Sequence, residues 1–580
     1  MLEAAAPPPV KRRGPFLRLV AHFLDRLVRS GQDTSAEFEL GAGALLGILA
    51  APGAFQSFLM LDKYSTFLNW IRGHLHTDVF VTSIEDKYLF LSMSMAVTGI
   101  VTVLKWDNIL PDARDYLNLA PLPVRPRRIL LANALAIACA VTVFAVAVNG
   151  ASAVLFPLFV TVSIEAPFAV YAKFAATHAA CMLLASLFTF CAVFAILGTL
   201  AAILPRHTFQ AWSSWLRGLI LVASVTLLLS GFSGRALALN LERVPGSAAR
   251  WLPSMWFLGL YQAMQHRPTP MMTWSAQMAW RGTVAAFLLM VVSYALSYRR
   301  RYAALLEGGK RPSEQKLFGV LLAGLDLFAA RAAGFERACH RFAIRGLLRN
   351  EAHRLCLAVS LGLGWLLAFQ GIAQGLAARP ADGSPTDALL APALVAAYLL
   401  ILGLRIAFEL PAGASSNWVF RVVLNTRDGQ TLSAARRIVL SFLAPAVLLP
   451  ALAFAWWRWG IPTAIVHTAY VLAVSLCYAE ILLSGYRKVP LTCPMPGFRD
   501  NLLMLCLVQF LGFELFTRAG AFLEQSMFLA PPLFLLVPIT MFVAWKWNQR
   551  RLREARENGE LEEGLVFESE RLPAVERLNL

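Results

Sequence analysis

Charge is scarce in this sequence: 15% of its 580 residues are charged, while 58% are hydrophobic. Soluble domains carry about a quarter charged residues, so composition excludes a soluble enzyme of this length. Cysteine offers little chemistry. The eight present, Cys139, Cys181, Cys191, Cys339, Cys356, Cys477, Cys493 and Cys506, lie mostly in apolar runs and form no Cys-x-x-Cys pair. They read as small buried side chains rather than disulfide or zinc ligands. No cleavable signal is expected, because Met1–Gly14 is proline-rich and basic and the first apolar run is too long for a signal core. That first run is expected to direct insertion. A phosphate-cradling loop is also missing. Gly308-Gly309-Lys310 comes nearest, but Ala304 replaces the first glycine and Arg311 follows the lysine, so Gly-x-x-x-x-Gly-Lys-Ser/Thr is not met.

What the chain does have is long runs without charge: Gly41–Leu61, Ile129–Ile164, Gly218–Gly234 and Val439–Trp457 among them. About 20 apolar residues in a helix cross a bilayer core, where only helices and closed barrels satisfy their own backbone. These runs are too long, and alternate too little, for barrel strands. The expected fold is therefore an all-α polytopic membrane protein with about twelve transmembrane helices in two six-helix halves and surface amphipathic helices. The first six spans fall near Leu40–Leu61, Tyr88–Leu104, Ile129–Val148, Ala179–Leu204, Gly218–Phe232 and Gly282–Ser297. Asn149-Gly150 is taken to interrupt the third run, leaving Ala151–Ile164 at the outer surface. Six more fall near Leu355–Leu376, Leu389–Leu404, Val439–Trp456, Thr463–Ser484, Leu502–Phe516 and Met527–Trp545.

In domain terms, residues 1–301 form the first half with its surface helix, and 302–354 a cytoplasmic amphipathic linker. Residues 355–547 form the second half and 548–580 a charged tail. The net charge of +17 reads as basic residues in cytoplasmic loops rather than as a nucleic-acid surface, and both termini are expected inside. Pro15–Ser30 puts Phe16, Leu19, Val20, Phe23, Leu24 and Leu27 on one helical face, the pattern of a helix lying on a membrane surface or packed on other protein. In the linker, Phe335–His353 sets Phe335, Cys339, Phe342 and Leu347 among Arg337, Arg341, Arg345 and Arg349 in the same manner.

One loop carries more information. Between spans two and three, a short amphipathic stretch holding Asp112, Arg114, Asp115, Leu117 and Leu119 ends at Pro121. Leu122-Pro123-Val124-Arg125-Pro126-Arg127-Arg128 then leads into the third span. Three prolines keep this connection extended and stiff. With the preceding surface helix, this loop resembles the coupling loop of permeases of type-2 ATP-binding-cassette (ABC) exporters. Leu252-Pro253-Ser254-Met255-Trp256-Phe257-Leu258-Gly259 resembles the external segment before their sixth span, so the likeness covers about Pro15–Arg301.

The resemblance implies an exporter's membrane subunit whose partner is a separate cytoplasmic ABC ATPase. ATP would act through that partner, with no cofactor on this chain. In the second half the corresponding coupling loop is Phe408–Arg421, with Pro411, Trp418 and Arg421, and a further basic loop spans Tyr486–Pro496. Two fused halves imply a complete path. If they do not form a pair, a homodimer is expected. Leu229-Ser230-Gly231 resembles the ABC signature but lies in an apolar span and is set aside.

Other functions stay open. A twelve-span ion-coupled secondary transporter fits the same layout, and a membrane-embedded lipid or sugar transferase is a third reading. For the latter, Glu85-Asp86 is similar to the acidic residues of such transferases, although acids just before a span are ordinary. Polar residues near spans, namely Glu480, Glu514, Gln509 and Gln370 together with Arg405, are candidates because such groups are costly in lipid. Glu480 and Arg405 lie near span ends, where they can also snorkel. His74 and His76 lack a cysteine to complete a metal site. The expected setting is a bacterial-type plasma (inner) membrane. Lipid surrounds the spans, and their lack of charge leans towards lipidic, hydrophobic or peptide substrates.

Overall fold

The computed structural model describes residues 14–29, 50–64 (without 52 and 59), 83–109, 125–162, 164–231, 248–265, 270–306, 322–332, 334–377, 384–412, 430–484, 486, 488–492, 508–509 and 511–557. Among these there is no strand, and nine helices are long and apolar enough to cross a bilayer. The chain is an all-α polytopic membrane protein. It packs as two compact units, residues 1–209 with 223–311, and 210–222 with 312–580.

The first unit is built from α1 (Pro15–Arg29), α2 (Ile84–Leu104), α3 (Pro126–Val162), α4 (Phe168–Ile203), the flanks of α5 (Arg206–Gly231), α6 (Pro253–Met264) and α7 (Pro270–Leu306). Proline opens α3, α6 and α7, where its fixed φ suits the first turn and its missing N–H is not needed. At 1.5 Å per residue, the 37-residue α3 and α7 and the 36-residue α4 run about 55 Å. A hydrocarbon core is about 30 Å thick, so all three extend beyond it. Val284, Leu288, Val291 and Val292 of α7 are exposed, as lipid-facing side chains are.

Helix α3 corrects the expected break at Asn149-Gly150, because it runs unbroken through both. Asn149 is satisfied within the helix packing, donating from Nδ2 to Ala145 O at 2.8 Å and to Ser186 Oγ of α4 at 3.0 Å. The turn signal therefore gives way to a helix–helix hydrogen bond. The first expected span, Leu40–Leu61, lies largely outside the described residues. Helix α1 sets Val20 and Phe23 against Ile129, Ala132 and Ala136 of α3, so its apolar stripe packs on protein.

Close approach is clearest between α6 and α7. A Cβ on Gly259 would stand 2.5 Å from Ser275 Cβ and 2.6 Å from Met272 O. Backbone cannot retreat as a flexible side chain can, and membrane helices rely on such small-residue contacts. Gly259→Ala is expected to lower stability by about 1–3 kcal/mol, read as a fall in the unfolding midpoint in detergent. An unchanged midpoint would mean that the helices separate freely.

The second unit holds α8 (Gly334–Arg349), α9 (Glu351–Ala377), α10 (Asp387–Ala407), α11 (Gln430–Leu443), α12 (Leu449–Trp459), α13 (Ile461–Leu482), α14 (Gly520–Leu529) and α15 (Leu536–Glu557). Its core centres on α10, whose Leu390, Leu394, Ala397, Leu400, Ile401 and Leu404 are buried. Two π turns interrupt the helices here, Ala444–Leu448 and Leu515–Ala519. The first has a visible cause. Ala446 O would accept from residue 450, but that is Pro450, and Trp365 Nε1 donates to the freed carbonyl at 3.0 Å instead. The expected span Leu502–Phe516 lies mostly outside the described residues. The one at Met527–Trp545 is corrected: α14 stops at Leu529, Pro531–Leu535 is a 3-10 turn, and α15 starts at Leu536. Pro531 and Pro532 cannot continue an α-helix entered from Leu529.

Candidate functional site

Of the expected coupling loop, Asp112, Arg114, Asp115, Leu117, Leu119, Pro121, Leu122 and Pro123 lie outside the described residues, but both ends of the loop are in view. On entry, the short helix Trp106–Ile109 follows α2. Trp106 is buried with its ring 5.3 Å from Phe194. Arg26 of α1 donates to Asn108 O at 2.5 Å, and Asn133 Nδ2 of α3 donates to Ile109 O at 3.1 Å. Asn133 also donates to Tyr294 Oη of α7 at 3.0 Å, while that hydroxyl donates to Leu130 O at 3.2 Å. On exit, Arg125 is exposed and Pro126 is the first residue of α3. The loop thus leaves from a point bonded to the foot of α3 and returns as the start of α3.

The second loop has the same character. Trp418 and Arg421 lie outside the described residues, and Pro411 is half-buried at the margin. Just before it, Phe408–Ala412 pairs with Lys488–Thr492. Ala412 N donates to Leu491 O at 2.8 Å and Leu491 N to Phe408 O at 3.3 Å. Leu491 sits at φ +68°, rare for a side chain of its size. It is held there by those two bonds and by its packing over Gly346, where a Cβ would come within 2.5 Å of Leu491 Cδ1.

Charge closes the joint. Lys488 Nζ, fully buried, donates to Glu409 Oε2 and to Phe408 O, each at 2.9 Å. Arg405 pairs with the same carboxylate and donates to Leu482 O at 3.0 Å. Burial opposes ionisation of Glu409, but Lys488 and Arg405 outweigh it and hold the carboxyl below its usual range. His353 Nε2 donates to Leu410 O at 2.9 Å. Arg405 therefore belongs to this joint.

The intramembrane candidates separate. Glu480 ties three helices together, accepting from Arg436 Nη2 of α11 at 2.6 Å and Asn548 Nδ2 of α15 at 2.7 Å. Gln509 Oε1 accepts from Tyr398 and Tyr478 at 2.8 Å each, beneath rings stacked 4.4 Å apart. Glu514, half-buried, pairs with the exposed Arg518 one turn on, and Gln370 is exposed. None of these four gathers with the others.

Two further buried clusters stand apart from these four. In the first unit, Asp86 and Lys87 are buried at the start of α2. Asp86 accepts from Lys63 Nζ at 2.8 Å and from Tyr64. Burial, reinforced by Asp86, raises the Tyr64 pKa, so the phenol stays a donor. Lys87 donates to Gln265 Oε1 at 2.8 Å and lies over the Phe174 and Tyr261 rings at 5.4 and 5.2 Å. Beside them, His178 Nδ1 lies 3.1 Å from Tyr261 Oη. In the second unit, His467 Nδ1 and Glu524 Oε1 are 2.7 Å apart and almost wholly buried. His467 lies in the same apolar run as Glu480, and Glu524 falls between two expected spans, so apolar pattern alone does not single out the pair. Among the described residues no three His, Cys, Asp or Glu side chains converge as a metal site requires. His74 and His76 lie outside them.

No family model, curated protein or solved structure matches this chain.

Proposed function

We propose that this chain is the membrane-spanning permease of an ABC-type exporter, energised by a separately encoded ATPase. The observation that carries this reading is the tethering of the 110–124 loop. It departs from Ile109, bonded to Asn133 of α3, and returns at Pro126, the first residue of α3. A load on such a loop passes directly into a helix about 55 Å long. The short buried α6 ahead of α7 and the clamped entry to the second loop at Glu409–Lys488 support the same plan. In this reading both termini and the 299–354 segment face the cytoplasm of a bacterial-type plasma membrane. The two units act as paired halves, with a homodimer the assembly if they do not complete a path.

The test is purification from native membranes in mild detergent. An ABC ATPase is expected to come along with the wild type, while the chain alone neither binds nor hydrolyses ATP. Leu117→Asp removes an apolar contact worth about 1.5–3 kcal/mol if fully buried, so retention of the ATPase is expected to fall by roughly tenfold or more. Unchanged retention would remove this loop from the docking surface. ATP turnover by this polypeptide alone would overturn the separate-ATPase reading.

A second reading, ion-coupled secondary transport, draws on the His467–Glu524 pair, since a buried membrane carboxylate beside histidine is a common proton-relay arrangement. Uptake in ATP-free vesicles driven by a proton gradient, and abolished by Glu524→Gln, would establish it in place of the first. A membrane-embedded lipid or sugar transferase has less support, because Asp86 is engaged by Lys63 and Tyr64.

A further inference from the structure

Helix α8 carries Arg337, Arg341, Arg345 and Arg349 four residues apart, which keeps them along one side of the helix. The opposite side, Cys339, His340, Ala343, Ile344, Leu347 and Leu348, is buried in the second unit. Arg337 is engaged internally, donating to the carbonyls of Ala329, Ala330 and Ala332. The other three are exposed and line a groove of about 450 Å³ with Ala338, Phe342, Gly346 and Asn350.

Acids near this row pair in three directions. Asp326 lies 3.2 Å from Arg341. Glu336 is engaged by Arg437 at 2.7 Å and by Ser433, and Glu351 by Arg217. Arg345 has no hydrogen bond or ion pair with any described residue. The groove is therefore a basic slot with an apolar floor at Ala338, Phe342 and Gly346.

Its position selects the class of anion. Asn350 alone separates α8 from the span α9, and its Oδ1 accepts from Ala352 N at 3.0 Å, capping the new helix. Only 22% of the apolar stretch of α9 is buried in protein. A phosphate held by the arginines would thus have partly uncovered apolar helix beside it for acyl chains, leading to the exposed Phe369 and Leu376, which a soluble anion would not use. Basic clusters at the cytoplasmic edge of a span attract anionic headgroups.

We propose that Arg341, Arg345 and Arg349 hold the headgroup phosphate of an anionic phospholipid, with its acyl chains along α9. The site is independent of what drives the chain. The test uses the full-length protein in vesicles of phosphatidylcholine with a minor fraction of phosphatidylglycerol. Spin-labelled forms of the two lipids report which one the protein immobilises. Wild type is expected to prefer phosphatidylglycerol, and Arg345→Gln with Arg349→Gln to lower that preference by roughly 25-fold, or to none where the wild-type preference is smaller. Arg345→Lys with Arg349→Lys, which keeps the charge, is expected to retain most of it. Arg551→Gln with Arg553→Gln, on the exposed face of α15, is expected to change nothing. Arg345→Gln alone removes a side chain without a described partner, and is expected to lower the preference roughly fivefold. It decides the matter if the paired variant does not reach the membrane. Full preference in the glutamine variants, or equal loss in the α15 control, would overturn the proposal. So would release of the labelled lipid by millimolar inorganic phosphate, which would put a soluble anion in the groove.

Discussion

Glu409→Ala is expected to lower the stability of the second unit by about 3–5 kcal/mol, the cost of stranding one member of a buried ion pair. The stranded group is Lys488, fully buried with its ammonium on Glu409 and on Phe408 O. The loss should appear as a lower unfolding midpoint in detergent. Glu409→Leu combined with Lys488→Met should recover much of it, since the buried ammonium leaves with its carboxylate while Arg405 keeps its bond to Leu482 O. If the single variant unfolds like wild type, the joint is not a clamp.

Acid gives an independent check. Lys488 and Arg405 depress the Glu409 pKa in the folded state, against burial. The stability this contributes is fully present above the unfolded carboxylate value, about 4.3, and disappears as pH falls through the lower folded value. Wild type should therefore lose this contribution only at strongly acidic pH, and Glu409→Gln should abolish that part of the pH dependence.

The largest functional effect is expected from Pro123→Gly with Pro126→Gly. Glycine widens the conformations open to a segment that proline holds extended. Loss of Pro126 from the first turn of α3 costs only about 1 kcal/mol, so insertion and expression should survive. Export should fall to background while the ATPase still co-purifies, separating transmission from docking. Normal export in this variant would reduce the loop to a connector.

Much of this architecture can be read from the chain, because bilayer thickness enforces long apolar runs. The runs holding α2, α4, α7, α9, α10 and α13 announce themselves that way. What escapes is whatever depends on a partner distant in sequence. Asn149-Gly150 looks like a turn until Ser186 of α4 offers Asn149 a hydrogen bond. Asp86 looks like an ordinary acid ahead of a span until Lys63 and Tyr64 close around it. Pro531-Pro532 is different, because the break is written in the residues themselves and only apolarity hides it. The expected coupling loop stands out by its prolines alone. Its anchors, Asn133 and Tyr294, carry no local signal, since each is a single polar residue in an apolar helix.

The wide turn at Leu515–Ala519 has a bearing on how residues are counted. A π turn houses one residue more than the α-helix on either side of it. Rewinding 515–519 as ordinary α-helix with no residue removed would rotate the rest of that helix by about 100°. Glu524 would then swing away from His467 towards hydrocarbon, where a carboxylate at a helix centre costs about 2.5–3.5 kcal/mol. The direction in which this acid points is set by an inserted residue several places upstream. Two chains aligned by apolar pattern alone, one with the insertion and one without, would share a glutamate at the same column yet aim it at opposite surroundings.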